Sequence, residues 1–339
     1  MPSLDQYNRP LRSLRLSLTD RCNLRCSYCM PEESYRWLPK KDILSFEELV
    51  TLTNAFVRAG VARIRLTGGE PLLRQAIEEL IRQLKTINNL EEITLTTNGV
   101  LLGEKVEALW ASGLDRITIS LDTLKPTIYR QLNGRDDLIQ VEKSIGQALK
   151  FYPHGLKINA VIIRGINDSE IATLLKYAQS INAEIRFIEY MDVGGATQWK
   201  DEKVFSKQDI LSVVTEFFGP VTTLGDRGHA PAARFQLKDG TKFGIIPSMT
   251  EPFCGTCDRS RITADGLWHH CLYGEKGIPI RTMLRNRIDE ETFISFIQHH
   301  WKKRTDKGAE NRFRQNEHSL IPLATLKKDP HLEMHTRGG

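Results

Sequence analysis

Between Leu11 and about Ile188 the chain alternates short apolar runs with longer stretches whose apolar positions recur every three or four residues. The short runs, Leu14–Leu18, Arg63–Thr67, Glu92–Thr97, Asp115–Leu121, Lys157–Ile163 and Glu184–Ile188, read as strands. The stretches between them read as helices, over about 75–86, 104–112, 139–151 and 168–180. The clearest helix begins at Ser45, with Glu48 three residues on as a capping box, and stops at Gly60. Repeated βα units require a parallel sheet, because each helix returns the chain to the same end of it. About six units fall short of the eight of a full barrel. The pattern therefore predicts an α/β fold, an incomplete (β/α)6-type TIM barrel, with a doubly wound open sheet as the competing arrangement.

After Gly194-Gly195 the periodicity changes. A helix is expected near 207–217, followed by hairpins: Asp239-Gly240 separates Arg234–Lys238 from Lys242–Ile246, and Asp265-Gly266 separates Arg261–Thr263 from Leu267–Leu272. Helical text returns at 280–287 and 290–304, and the polar stretch 305–316 is expected to be mobile. The division predicted is a barrel over 1–220 and a C-terminal α+β segment over 221–339 that closes the barrel opening.

The composition of the 339 residues, 40% hydrophobic and 26% charged, is that of a chain able to bury a large core. A net charge of +5 with scattered basic residues suits a small polyanion better than nucleic acid. Neither a secretory signal nor a run of about 20 apolar residues is seen, so a cytoplasmic protein without a membrane partner is expected. In that compartment the six cysteines stay reduced. They fall in two triplets, at 22–29 and 254–271, and that grouping asks for two metal sites.

Cys22, Cys26 and Cys29 lie on the loop directly after the first strand, at the end where α/β barrels carry their chemistry. Three thiolates can hold three irons of a [4Fe–4S] cube and leave the fourth open. A structural zinc site needs four closing ligands, and no His lies near. Thr67-Gly68-Gly69-Glu70-Pro71 follows the second strand, where glycines let a ligand approach the backbone.

CxxxCxxC after strand one and GGEP after strand two resemble the radical S-adenosylmethionine superfamily. The resemblance implies that the open iron chelates the methionine part of the cofactor and that an electron splits its S–C5′ bond to give a 5′-deoxyadenosyl radical. It makes Cys22, Cys26 and Cys29 the catalytic ligands. Tyr28 is similar to a position that packs on adenine, with a core-filling aromatic as the plain alternative; Gly69, Ser120 and Met191 match other cofactor contacts.

Cys254 and Cys257, with Cys271 returned beside them by the Asp265-Gly266 turn, again number three, and a Cys₃His zinc site using His269 or His270 competes with a second cluster. Arg259 and Arg261, two apart on a strand, face the same way and can clamp phosphate. Arg15, Arg63, Arg65 and Lys157 put further charge at strand positions, which is costly unless an anion meets it. Surface or salt-bridged charges are the plain alternative.

The whole combination, with LRLSLTDRCNLRCSYCMPE from 14, RIRLTGGEPL from 63, KINAVIIRGIND from 157, RFIEYMDVGGATQW from 186 and FCGTCDRSRITADG from 253, resembles the GTP 3′,8-cyclase family of molybdenum cofactor biosynthesis. The resemblance implies two [4Fe–4S] clusters and S-adenosylmethionine as cofactors and GTP as substrate. Arg15, Arg65, Thr96, Lys157, Arg259 and Arg261 then correspond to the GTP-binding set, and Arg63 to a further basic position. The radical takes hydrogen from C3′ of the ribose, C3′ attacks C8, a reduction gives 3′,8-cyclo-7,8-dihydro-GTP, and a second protein converts that to cyclic pyranopterin monophosphate. An unidentified reductant and a homodimer are also implied. Gly338-Gly339 resemble a family tail that inserts toward the active site, although Arg337 stands where the family commonly has an apolar residue. A peptide-modifying radical enzyme and a non-catalytic zinc or electron-transfer protein are the rival readings.

Overall fold

The computed structural model describes residues 3–194, 197–315 and 320–338; the expectations at Gly195, Asn316 and Gly339 lie outside them. Six strands, β1 (Ser13–Ser17), β2 (Arg63–Thr67), β3 (Glu92–Thr97), β4 (Arg116–Ser120), β5 (Leu156–Ile162) and β6 (Glu184–Glu189), lie side by side in chain order, each parallel to the next. Between them run α1 (Phe46–Arg58), α2 (Ile77–Lys85), α3 (Leu102–Ala111), α4 (Pro126–Asn133), α5 (Leu138–Phe151) and α6 (Ile171–Ser180). The capping box at Ser45 and Glu48 forms in both directions. Each helix buries one stripe; on α2 it is Ile77, Leu80, Ile81 and Leu84, the spacing of a single helical face. These stripes and the apolar strand residues, Leu14, Leu16, Ile64, Leu66, Ile93 and Leu95 among them, form one core.

Helix α4 is absent from the sequence reading, though Pro126 at its first turn and Gly134 just past its end mark it. After β6 come α7 (Lys207–Phe218), β7 (Thr222–Thr223), β8 (Ala233–Gln236), β9 (Lys242–Ile246), β10 (Arg259–Ile262), β11 (Leu267–His269) and β12 (Ile278–Pro279). Then follow α8 (Arg281–Arg285), α9 (Glu290–Lys302), α10 (Gly308–Gln315) and α11 (Leu323–Lys328). Both hairpins form where expected, β8 with β9 and β10 with β11. The polar stretch expected to be mobile instead carries α10, whose Arg312 reaches Asp192 at 2.7 Å.

The C-terminal hairpins do more than cover an opening. β9 lies parallel along β6, and β10 lies parallel along β1. Without them the outer strands of the six would present unpaired backbone groups. Eight neighbouring strands thus run parallel, in the order β10-β1-β2-β3-β4-β5-β6-β9, within a sheet of twelve whose order runs from β12 to β7 among the described residues. Because β10 runs with β1, Cys257 just before it lies at the opposite end of the strands from Cys22 just after β1. A five-residue strand spans about 17 Å. No described helix is long and apolar enough to cross a membrane.

Candidate functional site

The first triplet sits on a loop braced from three sides. Gly69 N–H donates to Thr19 O and Glu70 N–H to Arg21 O, each at 2.8 Å. A Cβ on Gly69 would lie 2.2 Å from Arg21 O, so only glycine fits that approach. The close neighbour of this glycine is therefore the chain itself, on the residues leading into Cys22. The end of α4 holds the other side: Arg25 N–H donates to Asn133 O, Ser27 N–H to Leu132 O, and Cys26 Sγ meets Asn133 Oδ1 at 3.1 Å. From β3, Asn98 Nδ2 lies 3.8 Å from Cys22 Sγ.

Two buried carboxyls tie this end of the sheet together. Glu70 accepts from Leu72 N–H, Thr97 Oγ1–H and Asn98 N–H, yet burial outweighs those bonds and lifts its pKa to about 7. Asp122 accepts from Val161 N–H and from the Tyr28 hydroxyl, both at 2.8 Å, and burial lifts it to about 6. The Tyr28 ring is thereby fixed at the cavity wall.

Below that loop, β10, β1 and β2 place Arg261, Arg15 and Arg65 side by side as register partners. Burial, then repulsion by neighbouring arginines, lowers all three guanidinium pKa values: Arg15 chiefly through Arg261 and Arg65, Arg65 to about 10 chiefly through Arg186, and Arg261 to about 9 chiefly through Arg259. A guanidinium keeps its proton in a protein, so the cost stands as positive potential awaiting an anion. Arg65 Nη1 bonds the hydroxyls of Thr96 and Thr118 at 3.0 and 3.2 Å. Arg15 and Arg261 both donate to Gly338 O, at 2.9 and 2.6 Å, so the C-terminal tail is seated against this row. Arg337 is buried: Nε donates to His331 O, and Nη1 to Leu272 O at 2.8 Å.

At the far end lies the second triplet. Burial opposes ionisation of Cys257, but Arg259 and Arg304 outweigh it and bring the thiol down to about 6. His269 and His270 are neutral, pushed down to about 3 and about 4 mainly by burial. All six cysteines, Tyr28, Gly69, Ser120, Met191, Arg15, Arg65, Thr96, Arg259 and Arg261 line one cavity of about 310 Å³.

All six cysteines are free thiols, and nitrogen donors are aimed at sulfur in each triplet: Leu24 N–H and Asn98 Nδ2 at Cys22, Arg304 Nη2 at Cys257. Thiolates receiving such hydrogen bonds are the donor set of iron–sulfur clusters. No three His, Cys, Asp or Glu among the described residues converge as a single-ion cage of the kind the zinc reading needs. The residues fit a cluster at both ends.

Comparison with known proteins agrees with the geometry. Residues 16–178 match the Radical SAM superfamily and residues 183–310 the Molybdenum Cofactor Synthesis C family. GTP 3′,8-cyclase 1 of Mycobacterium tuberculosis is 48% identical over 99% of this chain and 95% of its own length. The chain belongs to the GTP 3′,8-cyclase family. The Aquifex aeolicus member is 42% identical over 99% of each chain. Among solved structures, Streptococcus suis SuiB bound to S-adenosylmethionine superposes with a TM-score of 0.59 over 86% of this chain and 69% of its own, at 19% identity, a likeness of fold.

Two basic residues expected to converge with the others do not line the cavity of this family member. Lys157, the second residue of β5, bonds Glu184 Oε1 at 3.1 Å, and Arg186 shares the same oxygen at 3.0 Å. Arg63, the first residue of β2, pairs with Asp258 at 2.7 Å. Arg186 itself lines the cavity and was missed, although a charge in the middle of the apolar β6 was the available signal. Arg9 and Arg304 also line it. Neither lies in a strand, so no broken pattern announced them.

Proposed function

We propose that the protein is a GTP 3′,8-cyclase, converting GTP to 3′,8-cyclo-7,8-dihydro-GTP in the first step of molybdenum cofactor synthesis. The observation that carries this reading is the single cavity with a cysteine triplet at each end and an arginine row between. Two [4Fe–4S] clusters bound there would supply the electron for cleaving S-adenosylmethionine at one end and a Lewis-acidic iron for the substrate base at the other. Cys22, Cys26 and Cys29 would hold one and Cys254, Cys257 and Cys271 the other. Tyr28, Gly69, Ser120 and Met191 would seat the cofactor. Arg15, Arg65, Thr96, Lys157, Arg259 and Arg261 would form the GTP-binding set, the arginines holding the triphosphate, with Lys157 acting from the cavity edge through the Glu184 it shares with Arg186. Holding C5′ against C3′ while excluding water is the protein's share of the chemistry.

The architecture is read as an incomplete (β/α)6-type barrel over about 1–220 with the second-cluster segment after it, the barrel interior serving as the channel between clusters. An external reductant supplies two electrons, one to cleave S-adenosylmethionine and one, with a proton, to reduce the cyclised radical, and a second protein consumes the product. The test is anaerobic turnover of the reconstituted protein with GTP, S-adenosylmethionine and dithionite. Equal yields of 5′-deoxyadenosine and cyclised nucleotide are expected. Cofactor cleavage stimulated by peptides and not by GTP would transfer the assignment to a peptide-modifying enzyme.

A further inference from the structure

Behind the second triplet lies a buried charge network. Arg9, just before β1, bonds Asp5 through Nε at 2.6 Å, and both side chains are at most 1% exposed. Arg9 Nη1 donates to Cys254 O and to Asp306 O, each at 2.9 Å. Arg304, two residues past α9, mirrors it. Its Nη1 donates to Cys257 O at 2.9 Å, its Nη2 lies 3.7 Å from Cys257 Sγ, and its Nε bonds Asp306 Oδ2 at 3.0 Å. Trp301 joins the two, with its ring under the Arg304 guanidinium and its Nε1–H on Arg9 O at 3.0 Å.

Two arginines thus grip the carbonyls of two adjacent ligand cysteines. A buried unpaired N–H is costly. Yet Arg9 Nη2 is buried without a hydrogen-bond partner among the described residues, beside a cavity that Arg9 and Arg304 both line. That donor waits for an acceptor the chain does not provide.

We infer that Arg304 and Arg9 are positioning residues for the second iron–sulfur cluster, fixing the Cys254–Cys257 loop and donating hydrogen bonds to sulfur. The inference rests on the reading that this triplet holds a cluster. Positive charge and N–H donors at sulfur stabilise the more negative reduced state, so the pair raises this cluster's reduction potential relative to a site without them.

The test uses the full chain with Cys22→Ala, Cys26→Ala and Cys29→Ala, leaving the second triplet to bind iron. Iron content and an EPR-monitored redox titration are compared with and without Arg304→Gln, which can still reach the Cys257 carbonyl. Unchanged iron with a roughly tenfold loss of reduced fraction at fixed potential, 59 mV for one electron, is expected. Arg304→Lys, which restores the charge, should recover most of the loss. An Arg304→Gln protein with full iron and the parent titration curve overturns the inference. If Arg304→Gln does not fold, Arg9→Gln decides: it can still bond Asp5 but gives up the charge and Nη2, and an unshifted curve overturns the inference equally. Absence of iron from the parent triple variant would instead discard the cluster reading itself.

Discussion

Replacing Arg261 by Met should make the cluster-free protein more stable and worse at binding GTP. The drop of the Arg261 guanidinium from 12.5 to about 9 reflects burial first and Arg259 second. At 1.36 kcal/mol per pKa unit, it is worth about 5 kcal/mol against the charged form. Methionine fills similar space without the charge. It gives up hydrogen bonds to Arg337 O and Gly338 O, of which Gly338 O keeps Arg15. Each bond from a charged donor contributes about 1.5–3 kcal/mol, so the net gain is about 1 kcal/mol. For the sign with pH, a base whose folded pKa is depressed destabilises the fold fully below that value. Because the guanidinium keeps its proton throughout, the gain should be flat over roughly pH 6–9. Against this, losing one member of a buried charge clamp costs about 2–5 kcal/mol of binding, at least about 30-fold in GTP affinity. Urea unfolding of the reduced apo-protein and calorimetric titration with GTP read the two effects separately. A variant destabilised by several kcal/mol with GTP affinity unchanged would refute the reasoning, since Arg261 would then be a structural partner of the tail and no more.

Other outcomes follow from the same geometry. Cys22→Ser should abolish 5′-deoxyadenosine formation, whereas Cys254→Ser should spare cofactor cleavage and chiefly impair GTP handling; similar defects in both assays would contradict the division of labour. Gly69→Ala forces a Cβ to 2.2 Å from Arg21 O, so the loop must move and first-cluster iron should fall with no large loss of helix by circular dichroism. For Glu70, whose buried carboxyl is raised from 4.5 to about 7, stability is retained below 4.5 and lost as pH rises toward 7, by about 3 kcal/mol in all. Glu70→Gln should remove that slope, and a wild-type minus variant difference that stays flat with pH in urea melts would count against it.

The six central strands were legible because each is a short run of buried β-branched and aliphatic text, as in Glu92–Thr97. The placement of β9 and β10 was not, since partners 58 residues apart, as Ile185 and Phe243 are, or 246 apart, as Ser13 and Arg259 are, leave no local mark. Charges that broke the apolar pattern pointed correctly to the cavity at Arg15 and Arg65. The same rule misplaced Arg63 and could not place Lys157, because the pattern says which face a residue takes and not how far along the strand it sits. Both lie within the first two positions of their strands and find carboxylates there. Glu70 and Asp122 were invisible as bracing groups, for their partners come from the ends of other strands.

The proposed function requires substrate to lie between two metal sites in one channel, against the second of them. Its most direct measurement is the EPR spectrum of the reduced second cluster in the Cys22→Ala, Cys26→Ala, Cys29→Ala protein, recorded with and without GTP. A changed spectrum with GTP, and none with S-adenosylmethionine, is the predicted result. A spectrum indifferent to saturating GTP would contradict the account.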